Sequence, residues 1–126
     1  MATVTPTVDR SVRGLITYAY TFGTGASAVG APMDPGISTY SDKTITIEGT
    51  FGGATITLQG SNSAPSASQW HNLNDSRGQG NAIQLSAKAI RAVLENPKFM
   101  RPVIGATVSG VTDIDVTIHA NKAARR

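Results

Sequence analysis

The chain has 126 residues, of which 40% are hydrophobic and only 15% charged, with thirteen glycines, six prolines and no cysteine. That length fits one domain, the missing cysteines exclude disulfides and thiolate metal sites, and a charge content below the roughly 25% of an average soluble domain excludes long Glu- and Lys-rich surface helices. The net charge of +3 rests on few groups, and Arg10, Arg13, Lys122, Arg125 and Arg126 crowd the two ends, a placement that points to contact with an anionic surface.

In chain order, residues 1–12 read as an N-terminal arm with no apolar stretch of the signal-peptide kind. Residues 13–21 read as a strand, with Leu15, Thr17 and Ala19 on one face and Ile16, Tyr18 and Tyr20 on the other. From Gly14 to Met33 there is no charge, yet Gly, Thr, Ser and Tyr interrupt every apolar run, so no membrane span is expected. Residues 22–40 form a long connection of small residues. The clearest periodicity follows in residues 41–62, where Ile45 and Ile47 alternate with threonines and, after a Gly-Thr-Phe-Gly-Gly link, Ala54, Ile56 and Leu58 do the same. Residues 61–69 are a second long connection.

Weaker strand patterns occupy residues 70–73, 82–85 and 99–108, and a third strong one spans 113–121 with Ile114, Val116, Ile118 and Ala120 facing inward. Residues 86–96 are rich in Ala, Lys, Arg and Leu, place Ile90, Val93 and Leu94 on one helical face and stop at Pro97, which predicts one short helix. Many short strands with Gly-rich turns indicate an all-β domain over residues 13–121, a β-sandwich or jelly roll of about seven to eight antiparallel strands, with a basic tail at 122–126.

Residues that could carry chemistry are sparse. Gly25 and Gly30 have phosphate-loop separation, but Ala31-Pro32 stand where Lys-Ser/Thr would be required, so no nucleotide is expected. His71 and His119 lack metal-ligand spacing and read as surface histidines. No GxSxG elbow marks a nucleophilic serine. Asp113 and Asp115 share a strand face, yet calcium wants six or more oxygens, so they read as solvated carboxylates. Neither catalytic residue, metal nor cofactor is therefore expected. Trp70, the single tryptophan, fits a core position better than a stacking platform, while Tyr18, Tyr20 and Tyr40 leave both roles open. Arg101, before Pro102 in an apolar stretch, reads as a structural residue that pins a loop.

The succession SDKTITIEGTFGGATITLQGSN (41–62), WHNLN (70–74), AIRAVLENPKFMRPVIGATVSG (89–110) and IDVTIHANK (114–122) resembles the capsid decoration, or cement, proteins of tailed bacteriophages over about residues 17–126. The resemblance implies a jelly-roll-like, non-enzymatic protein on the virion exterior, made in the host cytoplasm. Such a protein clamps adjoining subunits of the major capsid protein. A homodimer or homotrimer on a shell symmetry axis is expected, with Arg10, Arg13, Lys122, Arg125 and Arg126 as contact residues, and with no membrane and no specific nucleic acid as partner. The rival reading is a carbohydrate-binding module or tail-associated receptor-binding sandwich that uses Trp70 and the tyrosines. A hydrolase would need a histidine beside a serine and a carboxylate in a cleft.

Overall fold

The computed structural model describes residues 2–23, 28–51, 54–63, 69–76, 82–105 and 112–122. Among these lie eleven strands: β1 (Ala2–Val4), β2 (Thr7–Asp9), β3 (Leu15–Phe22), β4 (Ala28–Gly30), β5 (Asp42–Thr50), β6 (Thr55–Ser61), β7 (His71–Asn72), β8 (Gln84–Leu85), β9 (Ala89–Ala92), β10 (Phe99–Gly105) and β11 (Thr112–Asn121). A single 3₁₀ turn, Pro35–Thr39, stands between β4 and β5.

The strands make two sheets. One has the order β1-β4-β10-β6-β7, with β8 also paired to β6, and the other the order β2-β3-β11-β5-β9. The long alternating strands occupy the centres because their period of two gives each a complete apolar face. Ile16, Tyr18, Tyr20 and Phe22 of β3, Ile45 and Ile47 of β5, and Ile114, Val116, Ile118 and Ala120 of β11 all point inward and are buried. They meet Ile56 and Leu58 of β6 and Met100 and Ile104 of β10 in one core between the sheets. Burying each such aliphatic side chain contributes about 1.5–3 kcal/mol, so this interior outweighs any surface pairing. At Gly30 a Cβ would lie 2.7 Å from the Tyr20 ring and from Pro102 Cδ, so the sheets close over a position that only glycine fills.

The all-β sandwich stands as expected, but with eleven strands among the described residues where seven to eight were expected, one of them, β4, inside the 22–40 connection, and with three further departures. The predicted helix over 86–96 is instead β9, paired antiparallel with β5 from Thr44↔Ala92 to Ile47↔Ala89. Helical propensity loses here because β5 offers a free edge that satisfies the β9 backbone, and Val93 tucks into the core while Ile90 and Leu94 stay outside at 62% and 56% exposure. Residues 2–9, expected as an arm, instead add β1 to one sheet and β2 to the other, forming a strap across one side of the sandwich. The third departure is that β1 runs parallel to β4, where only antiparallel pairing was expected.

Lys43 is a polar exception inside. Only 3% exposed, its Nζ donates to the Tyr40 carbonyl at 2.7 Å and to Asn96 Oδ1. Desolvation pushes its pKa down to about 8, against the opposing pull of Asp42.

Candidate interaction surfaces

The end of β11 meets the start of β3. Asn121 pairs with Leu15, and the Lys122 amide donates to the Gly14 carbonyl at 2.8 Å. Gly14 has φ +81, which lets the strap turn into β3 at this point. Arg13 and Lys122 are thereby brought to one end of the sandwich, both exposed, with Lys122 Nζ 5.3 Å from the Tyr40 ring centroid. Arg10 is engaged differently: its Nη2 pairs with Asp34 Oδ2 at 2.8 Å, with both side chains more than half exposed. Such a surface pair contributes about 0–1 kcal/mol. Arg125 and Arg126 lie outside the described residues.

The outward faces of the sheets differ in charge. The six strands of the β10 sheet contain no Asp or Glu, whereas the other sheet carries Asp9, Asp42, Glu48, Asp113 and Asp115 on its strands. In the β10 sheet, Arg101 pairs in register with Gln59, and Gln59 with Asn72. The Arg101 guanidinium carbon stands 4.2 Å from the centroid of the Trp70 ring, and its Nε donates to Gln59 Oε1 at 3.0 Å. Trp70 is thus a half-buried surface support and not the core residue expected. Partial desolvation lowers the Arg101 pKa. The contact between a residue of β10 and the segment before β7 depends on strand register, so neither local pattern reveals it.

Tyr18 and Tyr20 are core residues and not stacking platforms. Both are buried, the Tyr20 hydroxyl donating to the Ala31 carbonyl at 2.7 Å and the Tyr18 oxygen accepting from the Asp34 amide at 3.3 Å. Desolvation raises the pKa of each. Tyr40 remains half-buried.

A cleft of about 290 Å³ opens at the end of β6 and β7, lined by Asn62, His71, Asn72, Glu95 and Asn96 among others. Much of its polar lining is committed internally. Glu95 accepts from the Asn74 amide at 2.7 Å and also from its side chain, Asn96 Nδ2 donates to the Ser38 carbonyl at 2.6 Å, and Asn62 Oδ1 accepts from the Lys98 amide at 2.9 Å. A second hollow, about 60 Å³, gathers Asp9, Ser11, Thr17 and His119. There His119 Nδ1 meets Thr17 Oγ1 at 3.1 Å, while Asp9 accepts the Ser11 amide at 2.9 Å, which holds its carboxyl below the usual range. At that size it falls well short of the roughly 300 Å³ at which ligand pockets begin.

Both histidines are exposed, as expected. Asp115 accepts from Thr21 Oγ1 at 2.9 Å, while the Asp113 side chain lies outside the described residues. Among the described residues no three of His, Cys, Asp and Glu gather where a metal ion could be held. Of the Gly-rich stretch 23–30, residues 24–27 lie outside the described residues and 28–30 form β4.

No protein-family model matches the sequence, and no curated protein matches it. Among solved structures, a cupin domain from Bordetella pertussis Tohama I is similar over 95% of both chains, at 12% sequence identity and a TM-score of 0.46.

Proposed function

We propose that this chain is a virion structural protein that binds the outer surface of a bacteriophage capsid and cements neighbouring subunits of the major capsid protein. The observation that carries the reading is the meeting of the end of β11 with the start of β3, which gathers Arg13 and Lys122 at one pole of the sandwich. A basic pole of that kind suits an acidic shell surface and steers encounter with it. The motif resemblance over residues 17–126 supports the same reading.

The mechanism is mass action without bond chemistry. A protein that binds the assembled lattice and not the free subunits stabilises the lattice, and contacts to several subunits at once raise avidity when their spacing matches. A dimer or trimer on a shell axis multiplies such contacts. Co-sedimentation with expanded, undecorated phage heads tests the proposal: saturable binding at a fixed copy number is expected, and protein left wholly in the supernatant overturns it.

A second reading, a carbohydrate-binding domain, is favoured by half-exposed Trp70 immediately before the cleft residue His71. A glycan array that lights up with the wild type and not with Trp70→Ala would establish it in place of the first.

A further inference from the structure

We propose that the outward face of the β10 sheet is a carboxylate-docking surface, on which Arg101 receives an aspartate or glutamate side chain of an acidic protein partner. The partner being a shell protein rests on the reading above.

Three features converge on Arg101. Its guanidinium carbon lies 4.2 Å from the Trp70 ring centroid, and its Nε donates to Gln59 Oε1 at 3.0 Å, two contacts that restrict the group before any partner arrives. Pre-organisation of this kind reduces the ordering cost of binding. Its two Nη nitrogens have no acceptor among the described residues, in contrast to Arg10 and Arg91, whose guanidinium groups pair with Asp34 and Asp75. A planar fork with both outer nitrogens free matches a carboxylate bidentately.

The surroundings supply the complementarity. None of the eight aspartates and glutamates of the chain lies on a strand of this sheet, so no carboxylate on these strands competes for the guanidinium or repels an incoming anion, and Glu95, in the cleft beside β7, is engaged by Asn74. Val29 and Val103, register partners beside Thr57, give half-buried apolar area next to the fork. A tryptophan-backed arginine amid small apolar and amide side chains has the composition of a protein-interface hot spot. A sugar is the weaker occupant, because the ring face it would stack on is the one the guanidinium covers.

The test has two arms. In the first, isotopically labelled protein is titrated with a glutamate-rich peptide. Saturable shifts of the Arg101 Nε–H and the Trp70 indole N–H are expected, abolished in Arg101→Gln and weakened in Arg101→Lys, which keeps the charge and loses the fork. Both variants are read against an otherwise unchanged spectrum. Absence of these shifts, or shifts produced by a uronate oligosaccharide and not by the peptide, overturns the inference. In the second arm the same variants are sedimented with phage heads, with Lys88→Gln as the control, and Arg101→Gln is expected to bind about thirtyfold more weakly. Shell binding that Arg101→Gln leaves intact overturns the inference and spares the shell reading. Peptide shifts in a wild type that ignores shells support the carboxylate site and overturn the shell reading.

Discussion

The amide of Lys122 donates to the carbonyl of Gly14 at 2.8 Å, so the residue that begins the basic tail is fastened to the residue just before β3. Gly14 makes this possible with φ +81, and no heavy atom lies within 4 Å of where its Cβ would be. Gly14→Ala therefore carries a conformational cost alone, about 1–2 kcal/mol. Equilibrium denaturation should show a lower midpoint with unchanged slope, and an alanine variant as stable as the wild type would contradict the geometry.

A chain ended at Lys122 keeps that bond and loses Arg125 and Arg126. Its denaturation midpoint should match the wild type, while its affinity for shells falls and becomes less sensitive to salt, since exposed charges are screened over about 8–10 Å at physiological ionic strength. Unchanged affinity at low salt would remove the tail from the contact.

Lys43 makes stability depend on pH. Its folded pKa is about 8, below the ordinary 10.5, so between those values the unfolded chain binds more protons than the folded one and stability rises with pH. Tyr18 and Tyr20 oppose this above pH 10, because their raised pKa values keep them protonated only in the fold. Unfolding free energy should climb from pH 8 to about 10 and then fall, and Lys43→Met should flatten the climb. A wild-type curve flat between pH 8 and 10 would show that burial does not discharge Lys43.

Ile90 and Leu94 lie outside on β9 and just beyond it, exposed at 62% and 56%. Replacing both with serine should change stability by no more than about 0.5 kcal/mol per site, as they pack against little. If this edge joins copies of the chain, the double variant should sediment as a monomer at concentrations where the wild type associates. Identical sedimentation of an associating wild type and the variant would move the self-contact elsewhere.

What could be read without coordinates was the part governed by local period. Ile45 and Ile47, Ile56 and Leu58, and Ile114 to Ala120 announce β5, β6 and β11 because a buried sheet face demands strict alternation, and those strands do form the centre. Residues 86–96 carry a helical signal because Ala, Lys, Arg and Leu suit a helix intrinsically, and only the unpaired edge of β5 decides for a strand over Ala89–Ala92. Three-residue strands such as β1, β2 and β4 are too short to carry a period at all. The stacking of Arg101 on Trp70 joins positions far apart in sequence, and nothing short of the β6–β10 and β6–β7 registers brings them together.

Cryo-electron microscopy of expanded phage heads incubated with the purified protein tests whether it cements the capsid surface. Added density is expected on the outer surface at a fixed lattice position, fitted by a two-sheet sandwich that bridges neighbouring capsid subunits. Heads with a bare outer surface at saturating protein would contradict the proposed function.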